Sequence, residues 1–555
     1  VKNHNLNSNL LFGYELTEGL SLRVSMGFNT FRGNEESQIP VSSLDPVSGG
    51  VSSARFGLNE FQTWLLEPQI EYKRKVGRGI LTVLTGSTYQ KNTNSLVLME
   101  GTGFPNDNLL GSISAASVKN ISDAFFEKKY VAGFARINYL FQKRYILSLN
   151  GRRDGSSRFG PGKQFGNFGS IGAGWIFSEE SFIKDRFSFL SFGKLRTSYG
   201  STGSDNIADY QYLSRWGVIN PPYNTTVGYT PQNLYNNELQ WSVTKKYEAG
   251  LELGFLKDRF FLNAVWYNHR SGNQLVTYVL PSQTGFRGIT ANFPALVENS
   301  GWEFQTTGAL LKSKKFNWTS SLNLTIPRNK LVSFPGIETS SYANLYVVGQ
   351  PLSVLNLFRF SGVNAASGIY EFETKNGLST NPSNSDRFIA GNLDPKFYGG
   401  FSNTFSFKGL QLDVFFEFRK QMGANYLQQI NSFIPGLMFN QPASVLERWK
   451  ASGETNSIQR FSSRPSSSLQ NAANAFMRSN GAYSDASFVR LKTLSLTYDF
   501  QKRLLEGTKL SVLRVYINAQ NLFLITNYKG NDPETKSFYS LPPLRTILAG
   551  LQITF

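Results

Sequence analysis

The residues of this sequence that could contact a ligand are arginines and aromatics, and groups suited to covalent chemistry are scarce. Among 555 residues there is no cysteine, and there are two histidines. This composition argues against a Cys–His or Ser–His nucleophile and against metal binding through Cys or His ligands. The carboxylates are scattered, and none is spaced in a way that singles out a hydrolase pair. The sequence therefore predicts a protein that is not an enzyme and that uses no cofactor.

Three arginines are candidate ligand-binding residues. Arg153 and Arg158 flank the polar run Asp154-Gly155-Ser156-Ser157, and Arg419 lies on the polar side of an alternating stretch. A guanidinium can hold an anionic group of a ligand. The competing interpretation is structural, because a polar interior needs paired charges and Asp413 and Glu417 are available neighbours of Arg419.

Aromatic residues in a long polar segment are the second candidate group. Trp216, Tyr223 and Tyr229 lie in the predicted long loop Ser201–Gln240. Aromatic rings stack on sugar faces and also anchor protein interfaces. They can equally pack loop against loop, so the sequence leaves both interpretations open.

The elements that must position these residues are β-strands. Side chains that alternate in polarity with a period of two lie on opposite faces of a strand. In the segment Leu410–Arg419 the apolar set is Leu410, Leu412, Val414, Phe416 and Phe418, and the other set is Gln411, Asp413, Phe415, Glu417 and Arg419. The same alternation occurs in the tail from Leu513 to Gln520 and returns, after a polar loop, from Thr546 to Phe555. A strand with one apolar and one polar face is typical of a transmembrane β-barrel.

The connections between these strands alternate between short turns and long loops. About 17 such strands can be counted by their period of two, and no run of about 18 apolar residues suggests a membrane-spanning helix. The net charge of +18 resides largely in the short turns, for example at Lys73-Arg74-Lys75, Lys143-Arg144 and Lys408. Charges at every second connection describe one rim of a barrel, which argues against nucleic-acid binding. The long loops are predicted at Phe31–Leu58, Lys91–Phe126, Ser201–Gln240, Pro327–Asp394 and Met422–Ala482.

Aromatic residues near strand ends are predicted to form a girdle at the membrane interfaces. The residues assigned to it are Trp175, Trp266, Trp318 and Phe555. Such rings sit at headgroup level in outer-membrane barrels. The alternative is that aromatic residues simply favour strands.

Several stretches resemble the SusC/RagA family of TonB-dependent outer-membrane transporters of Bacteroidetes. They occur in the expected order along nearly the whole chain: Asn150–Pro161, Leu195–Gly200, Thr244–Leu251, Asp485–Lys492, Ala519–Phe523 and Tyr528–Glu534. Each motif alone is weak, and their order makes the resemblance specific.

The resemblance implies an all-β, transmembrane antiparallel barrel in the outer membrane of a Gram-negative bacterium. Residues 1–555 would form the C-terminal part of a 22-stranded barrel, with about five strands and an N-terminal plug outside this chain. It further implies import of an oligosaccharide or peptide, a SusD-like surface lipoprotein as a lid, and TonB acting through the plug. Outer-membrane lipid would cover the apolar face.

Other functions stay open at this point. A barrel of this kind could serve as a docking platform in a larger outer-membrane or secretion assembly, with transport secondary. An open porin and an outer-membrane enzyme rank below that.

Overall fold

The computed structural model describes residues 1–223, 226–432, 434, 436–438, 440–507 and 509–555. For residues 48, 220–223, 227, 431, 432 and 502 it describes the backbone but not the side chain. The side chain of the candidate Tyr223 therefore lies outside the described part of the molecule.

Strands dominate the described part of the chain. In chain order they begin with β1 (Lys2–Thr17), β2 (Leu20–Ile39), β3 (Ser53–Val76), β4 (Gly79–Thr102), β5 (Val118–Phe141), β6 (Tyr145–Ser156), β7 (Phe165–Trp175), β8 (Leu190–Ser204), β9 (Arg215–Tyr223), β10 (Thr226–Asn233), β11 (Ser242–Phe255), β12 (Phe260–Gly272), β13 (Gln274–Val279) and β14 (Gly288–Phe293). They continue with β15 (Leu296–Lys312), β16 (Phe316–Ser333), β17 (Val354–Leu357), β18 (Arg359–Val363), β19 (Tyr370–Thr374), β20 (Gly377–Ser379), β21 (Phe388–Asn392), β22 (Phe397–Phe407), β23 (Leu410–Lys420), β24 (Met422–Ala424), β25 (Tyr483–Asp485), β26 (Phe488–Asp499), β27 (Val512–Thr526) and β28 (Thr546–Thr554).

Four α-helices accompany the strands within the described ranges. They are α1 (Ser181–Lys184), α2 (Tyr426–Ser432), α3 (Ser467–Phe476) and α4 (Lys502–Leu505). None of these described helices is long and apolar enough to cross a membrane.

The chain divides into two compact units. Unit 1 is Val1–Trp175, Thr197–Tyr247 and Ser271–Pro294, and unit 2 is Ile176–Arg196, Glu248–Arg270 and Ala295–Phe555. In unit 1, strands β1 to β7 pair in chain order, each antiparallel to the next. In unit 2 the antiparallel order is β15, β16, β22, β23, β26, β27 and β28. With β8, β11 and β12 these strands form a 17-stranded sheet, which confirms the strand number that the alternation predicts.

The strand register of unit 2 lines side chains of one character into rows across the sheet. One face carries the paired positions Phe316, Phe407, Leu410, Tyr498, Val515 and Leu551, and next to them Trp318, Phe405, Leu412, Leu496, Ile517 and Ala549. The opposite face carries Asn317, Ser406, Gln411, Thr497, Tyr516 and Gly550, then Thr319, Thr404, Asp413, Ser495, Asn518 and Leu548. We call these the apolar face and the polar face. Their separation is the pattern expected when lipid covers one side of the sheet.

The short turns have the backbone conformation that tight hairpins require. At the turn between β22 and β23, Lys408 has φ 47° and Gly409 has φ 89°. Two consecutive residues with positive φ match the twist of the flanking strands. A Cβ on Gly409 would lie 2.6 Å from the backbone oxygen of Asp499, so glycine is required there for space as well.

The predicted loops Phe31–Leu58 and Lys91–Phe126 are wrong, since strands β2 to β5 extend into both of them. The segment Lys91–Phe126 is mostly strand, because β4 continues to Thr102 and β5 begins at Val118. These strand extensions carry polar residues on both faces, so they show no alternation in polarity. Their backbones still pair, because cross-strand hydrogen bonds do not depend on side-chain polarity. Within the predicted loop Pro327–Asp394, β17 pairs with β21, and β18 pairs with β19.

A separate hydrophobic core supports the loops of unit 2. Helix α3 packs Leu469 and Phe476 against the β18–β19 hairpin, where the Tyr370 and Phe476 rings are stacked with centroids 4.5 Å apart. Fully buried aromatic side chains of this size contribute roughly 1.5–3 kcal/mol each. The long loops are therefore folded structure with a core of their own.

Replacement of Trp318 by phenylalanine tests the apolar face. The indole Nε1–H donates to Asn403 Oδ1 at 3.0 Å, and Asn403 is 7% exposed among apolar neighbours. We expect Trp318→Phe to lower the free energy of unfolding by about 1–3 kcal/mol, because a buried amide oxygen loses its donor. The measurement is the denaturant midpoint of the protein in lipid vesicles.

Trp302→Phe is the matched control, because the Trp302 ring stacks on Phe304 and is half-exposed. The double variant Trp318→Phe/Asn403→Leu should recover most of the loss, since it removes the unpaired group. Equal midpoints for the two single variants would contradict the assigned role of this hydrogen bond.

Candidate functional site

A pocket of about 460 Å³ opens on the polar face of unit 2. Pockets of about 300–1,000 Å³ are the usual size for small-ligand sites. Its lining residues are Tyr267, Asn299, Pro327, Arg328, Asn329, Leu352, Ser353, Asp394, Pro395 and Tyr398. We call it the tyrosine pocket, after its two aromatic side chains.

The strands that form one wall of the pocket are positioned by register. Asn299 pairs with Asn329, and Tyr398 pairs with Thr325, so these side chains share the polar face. Tyr267 of β12 reaches the same place because Gly301 has no side chain: a Cβ there would lie 2.8 Å from the tyrosine hydroxyl. The absence of a side chain at Gly301 thus leaves room for the Tyr267 ring at the pocket wall.

Loop residues form the opposite wall, and an asparagine joins them to the sheet. Asn329 Nδ2 donates to Asn299 Oδ1 at 2.7 Å, and Asn329 Oδ1 accepts from the Leu352 backbone N–H at 2.8 Å. The Leu393 N–H donates to the Ser353 carbonyl at 3.1 Å. These bonds hold Ser353 and Asp394 beside each other at the pocket.

Charged side chains extend from the tyrosine pocket across the polar face. The Arg419 guanidinium lies 5.6 Å from the centroid of the Tyr398 ring and 3.6 Å from Glu417 Oε1. Lys492 Nζ contacts Glu417 Oε2 at 3.3 Å and Glu534 Oε1 at 2.8 Å. Because every cation here has an acidic partner, the network balances its own charge.

Lys536 lies in the loop after β27, next to the same network. Burial lowers the pKa of Lys536, and the nearby Arg419 charge lowers it further, while the Asp394 carboxylate acts in the opposite direction. The three side chains are therefore close enough to influence one another. This places the pocket's carboxylate beside two cations.

The charge network fixes the segment 527–536 onto the sheet. Arg490 of β26 forms an ion pair with Asp532 in which both side chains are almost fully buried, 4% and 3% exposed. Arg490 Nε also lies 3.5 Å from Glu534 Oε2. Gln421 Nε2 donates to the Pro533 carbonyl at 2.7 Å. Two stretches that carried the family resemblance, Asp485–Lys492 and Tyr528–Glu534, thus meet in space.

The three candidate arginines belong to different units. Arg419 borders the tyrosine pocket, whereas Arg153 and Arg158 belong to unit 1. Arg153 lies on the exposed face of β6, 3.3 Å from Asn167 Oδ1 and over the Phe165 ring. Arg158 Nε contacts Asp209 Oδ1 at 2.7 Å, and its Nη1 donates to the Asp205 carbonyl at 3.0 Å. Arg158 therefore has the structural pairing that was the alternative to ligand binding.

The candidate aromatics Trp216 and Tyr229 lie together on the β9–β10 hairpin of unit 1. Val218 pairs with Tyr229, and Trp216 pairs with Pro231, so these side chains share one face. Trp216 is 62% exposed and Tyr229 is 64% exposed. We call this surface the hairpin patch.

The predicted girdle residues occupy different environments. Trp318 lies near the start of β16 on the apolar face, and Trp175 ends β7 opposite Tyr145. Trp266 lies within β12 and is half-buried, and Phe555 is exposed. The assignment of these four to a membrane interface stays a prediction.

A family of known proteins matches most of this chain. The family described as "TonB dependent receptor-like, beta-barrel" matches residues 1–522. The chain belongs to the TonB-dependent receptor β-barrel family. The predicted all-β barrel fold class is confirmed by this match.

Two curated relatives carry the same designation. The chain is 28% identical to TonB-dependent receptor P26 of Formosa agariphila, over 89% of this chain and 53% of the relative. It is 29% identical to TonB-dependent receptor SusC of Bacteroides thetaiotaomicron, over 88% of this chain and 49% of the relative. The chain thus spans about half the length of these relatives. The SusC/RagA resemblance read from the motifs is confirmed.

A solved structure has the same fold. The structure titled "Structure of the RagAB peptide transporter" matches this chain with a TM-score of 0.86 and 24% sequence identity. The match covers 100% of this chain and 62% of the chain in that structure.

Sequence reasoning missed most of the tyrosine pocket. Tyr267, Tyr398, Ser353 and Asp394 were not among the candidates. One available signal was that Tyr398 and Arg419 both lie on the non-lipid side of their alternating strands, which pairing then brings together. In the sequence Asp394 was only the last residue of the predicted loop Pro327–Asp394. No local pattern indicates which strand a loop residue will contact.

Removal of the buried carboxylate tests the charge network. We expect Asp532→Asn to lower the free energy of unfolding by about 3 kcal/mol, because Arg490 would keep only its longer contact to Glu534. Denaturant unfolding in vesicles measures the change, and limited proteolysis should show earlier cleavage within residues 527–536.

Asp499→Asn is the matched control, since it removes the same group from an Arg–Asp pair whose side chains are 42% and 48% exposed. An exposed pair contributes at most about 1 kcal/mol. If the two variants unfold at the same denaturant concentration, Asp532 does not stabilise the segment as described.

A pH dependence follows from Asp485, the last residue of β25. Burial, which raises the pKa of Asp485, is outweighed by hydrogen bonds from Lys420 and Ser487, which lower it from 3.8 to about 2. Because the folded pKa is below the unfolded value, these bonds contribute stability above about pH 3.8, and that contribution is lost as the pH falls towards about 2.

The measurement is the denaturant midpoint of wild type and Asp485→Asn as a function of pH. The wild type should lose more stability than the variant between those two pH values. Parallel curves would show that Asp485 does not titrate in this window.

Proposed function

We propose that this chain forms the barrel wall of an outer-membrane importer that takes up a large nutrient, an oligosaccharide or a peptide. The observation that carries the proposal is the tyrosine pocket on the polar face of a sheet whose other face is apolar. An importer needs a wall that is apolar towards lipid and offers ligand contacts on the other side. The membership in the TonB-dependent receptor family supports this direction of transport.

A surface lipoprotein of the SusD type is the proposed partner, acting as a lid over the ligand. The hairpin patch supports this part of the proposal, since Trp216 and Tyr229 expose large rings side by side. Exposed tryptophan and tyrosine are the residues that most often anchor protein interfaces. TonB would supply the energy, as the family name indicates, and would act through a plug.

Import is tested by deleting the gene and measuring the disappearance of labelled oligosaccharides and peptides from the medium. We expect loss of uptake for one of the two nutrient classes and restoration by the wild-type gene. Dissipation of the proton-motive force should have the same effect. Unchanged uptake together with disruption of a large outer-membrane assembly would contradict import and favour the docking-platform function.

The lid is tested with the double variant Trp216→Ala/Tyr229→Ala. Loss of two aromatic anchors should reduce the copurified lipoprotein by at least about tenfold. Tyr235→Ala is the matched control, because Tyr235 is also an exposed loop tyrosine. The lipoprotein is identified as one whose own deletion abolishes the same uptake. If the wild type, the double variant and Tyr235→Ala copurify equal amounts of the lipoprotein, the hairpin patch is not part of the interface.

A further inference from the structure

The short turns of unit 1 lie side by side and carry an excess of positive charge. The Lys73 backbone N–H donates to the Gly19 carbonyl at 2.7 Å, and the Gln142 backbone N–H donates to the Arg78 carbonyl at 3.1 Å. These bonds join the β1–β2, β3–β4 and β5–β6 turns in that order. Residues 17–19, 73–78 and 142–144 include six basic side chains and one acidic side chain, that of Glu18. This end of the sheet is therefore strongly cationic.

The cations at the turn end differ from those further along the same strands. Lys73, Lys75, Arg78 and Lys143 are exposed, and none of them forms an ion pair within the described part of the chain. Towards the opposite ends of β2 to β5 the cations are paired: Arg32–Glu60 at 2.9 Å, Arg55–Glu100 at 3.3 Å and Lys91–Glu127 at 2.9 Å. The charge of the turn end is therefore available to an anionic partner.

Aromatic side chains occupy the terminal positions of three strands at this same end. Tyr145 pairs with Phe141 and with Trp175, so the three side chains lie on one side of the sheet. The centroid of the Phe141 ring is 6.2 Å from that of Tyr139 and 6.3 Å from that of Tyr145. Further from the turns, the same side is apolar and exposed at Ile137, Leu149 and Ile171. Aromatic rings between an apolar surface and a polar rim are typical of the headgroup level of a membrane.

Arg74 lies on the same side as these rings. It pairs with Leu81, which in turn pairs with Tyr139. Arg74 Nη1 donates to the Tyr72 hydroxyl at 3.2 Å, and Arg74 forms no ion pair within the described residues. A guanidinium binds a phosphate group through two parallel N–H donors. An arginine at headgroup level on an apolar side is thus placed to bind a phosphate that belongs to a lipid.

The surrounding charge selects among membrane lipids. A zwitterionic phospholipid offers Arg74 a phosphate but brings no net charge to the turns. An anionic phospholipid offers the same phosphate together with a net negative charge, and basic groups beside a membrane are attracted to such lipids. The acyl chains of either lipid can lie along the apolar side at Ile137 and Leu149, which no soluble anion would use. The unpaired cations therefore favour the anionic lipid.

We propose that the turn end of unit 1 is a binding surface for anionic phospholipids in the membrane leaflet that meets the short turns. Arg74 binds the lipid phosphate. Four further cations attract the net negative charge of the headgroup: Lys73, Lys75, Arg78 and Lys143. We call these five residues the basic turn surface. The proposal concerns the membrane partner and does not depend on which nutrient is imported.

The test uses the native protein extracted from its outer membrane, in detergent with equal amounts of dioleoylphosphatidylglycerol and dioleoylphosphatidylcholine. Native mass spectrometry counts the bound molecules of each lipid. We expect the wild type to prefer phosphatidylglycerol by at least about tenfold, and Lys75→Gln/Arg78→Gln/Lys143→Gln to lower this preference by at least about tenfold. Each cation near a membrane surface contributes roughly a fivefold factor. The preference should also fall as salt is added, because exposed charges are screened.

A matched triple variant separates this surface from net charge alone. Arg287→Gln/Lys450→Gln/Arg464→Gln removes the same charge from exposed residues outside the basic turn surface and should keep the preference within about twofold. Arg74→Gln should lower the binding of both lipids, because both carry the phosphate that Arg74 contacts. Heat-modified mobility in gels confirms that each variant is folded.

Four outcomes would overturn the proposal. The first is an equal lipid preference in the wild type and the turn variant, and the second is an equal loss in both triple variants. The third is binding of glycerol phosphate as tight as that of phosphatidylglycerol, which would identify a site for free phosphate. The fourth is retention on immobilised polyglutamate without any lipid preference, which would identify an acidic macromolecule as the partner. Nutrient uptake by the same variants is measured separately, so that failure of the lipid surface is distinguished from failure of import.

Discussion

Backbone hydrogen bonding in a hydrocarbon environment is the constraint on which this structure depends. Lipid offers no partner for an exposed N–H or C=O group, so a chain that crosses it in strands must pair each strand with its neighbours. In unit 2 this pairing continues from β15 to β28 and sets each residue opposite a defined partner. Because neighbouring strands share a register, one apolar residue in a strand becomes part of an apolar row across the sheet. Every group that could serve a ligand is thereby confined to the polar face or the loops.

Charge pairing organises that polar face. Arg490 is the central residue, since it holds Asp532 in an almost fully buried pair and also contacts Glu534. A buried charge is tolerated only when its partners are in place. The segment 527–536 therefore depends on the strand beneath it, and Arg419 at the far end of the network stands against the Tyr398 ring. The same side chains that hold a loop also set the electrostatic surroundings of the tyrosine pocket.

The pocket is formed jointly by a strand wall and a loop. The sheet supplies rigid residues at fixed register, and the loop of unit 2 supplies Ser353 and Asp394, held by backbone bonds to the sheet. Loops commonly carry ligand contacts on a rigid scaffold because their sequences can vary without loss of the fold. The hydrophobic core around Phe476 keeps this loop region ordered.

Local periodicity in the sequence determined the strands. The alternation of Leu410–Arg419 predicted a strand, which the structure places at Leu410–Lys420. This works because alternation reports a local property, the face on which each side chain lies. It failed between Lys91 and Phe126, where polar residues occupy strands that the backbone still pairs.

The tertiary structure alone decided which distant residues meet. Tyr267, Tyr398 and Asp394 come from two strands and a loop, and Arg490 finds Asp532 only when the segment after β27 folds back. These contacts depend on register and loop packing, which arise from many non-local interactions and leave no periodic trace in the sequence. The sequence thus determined the class of fold and the family, and the tertiary structure determined the site.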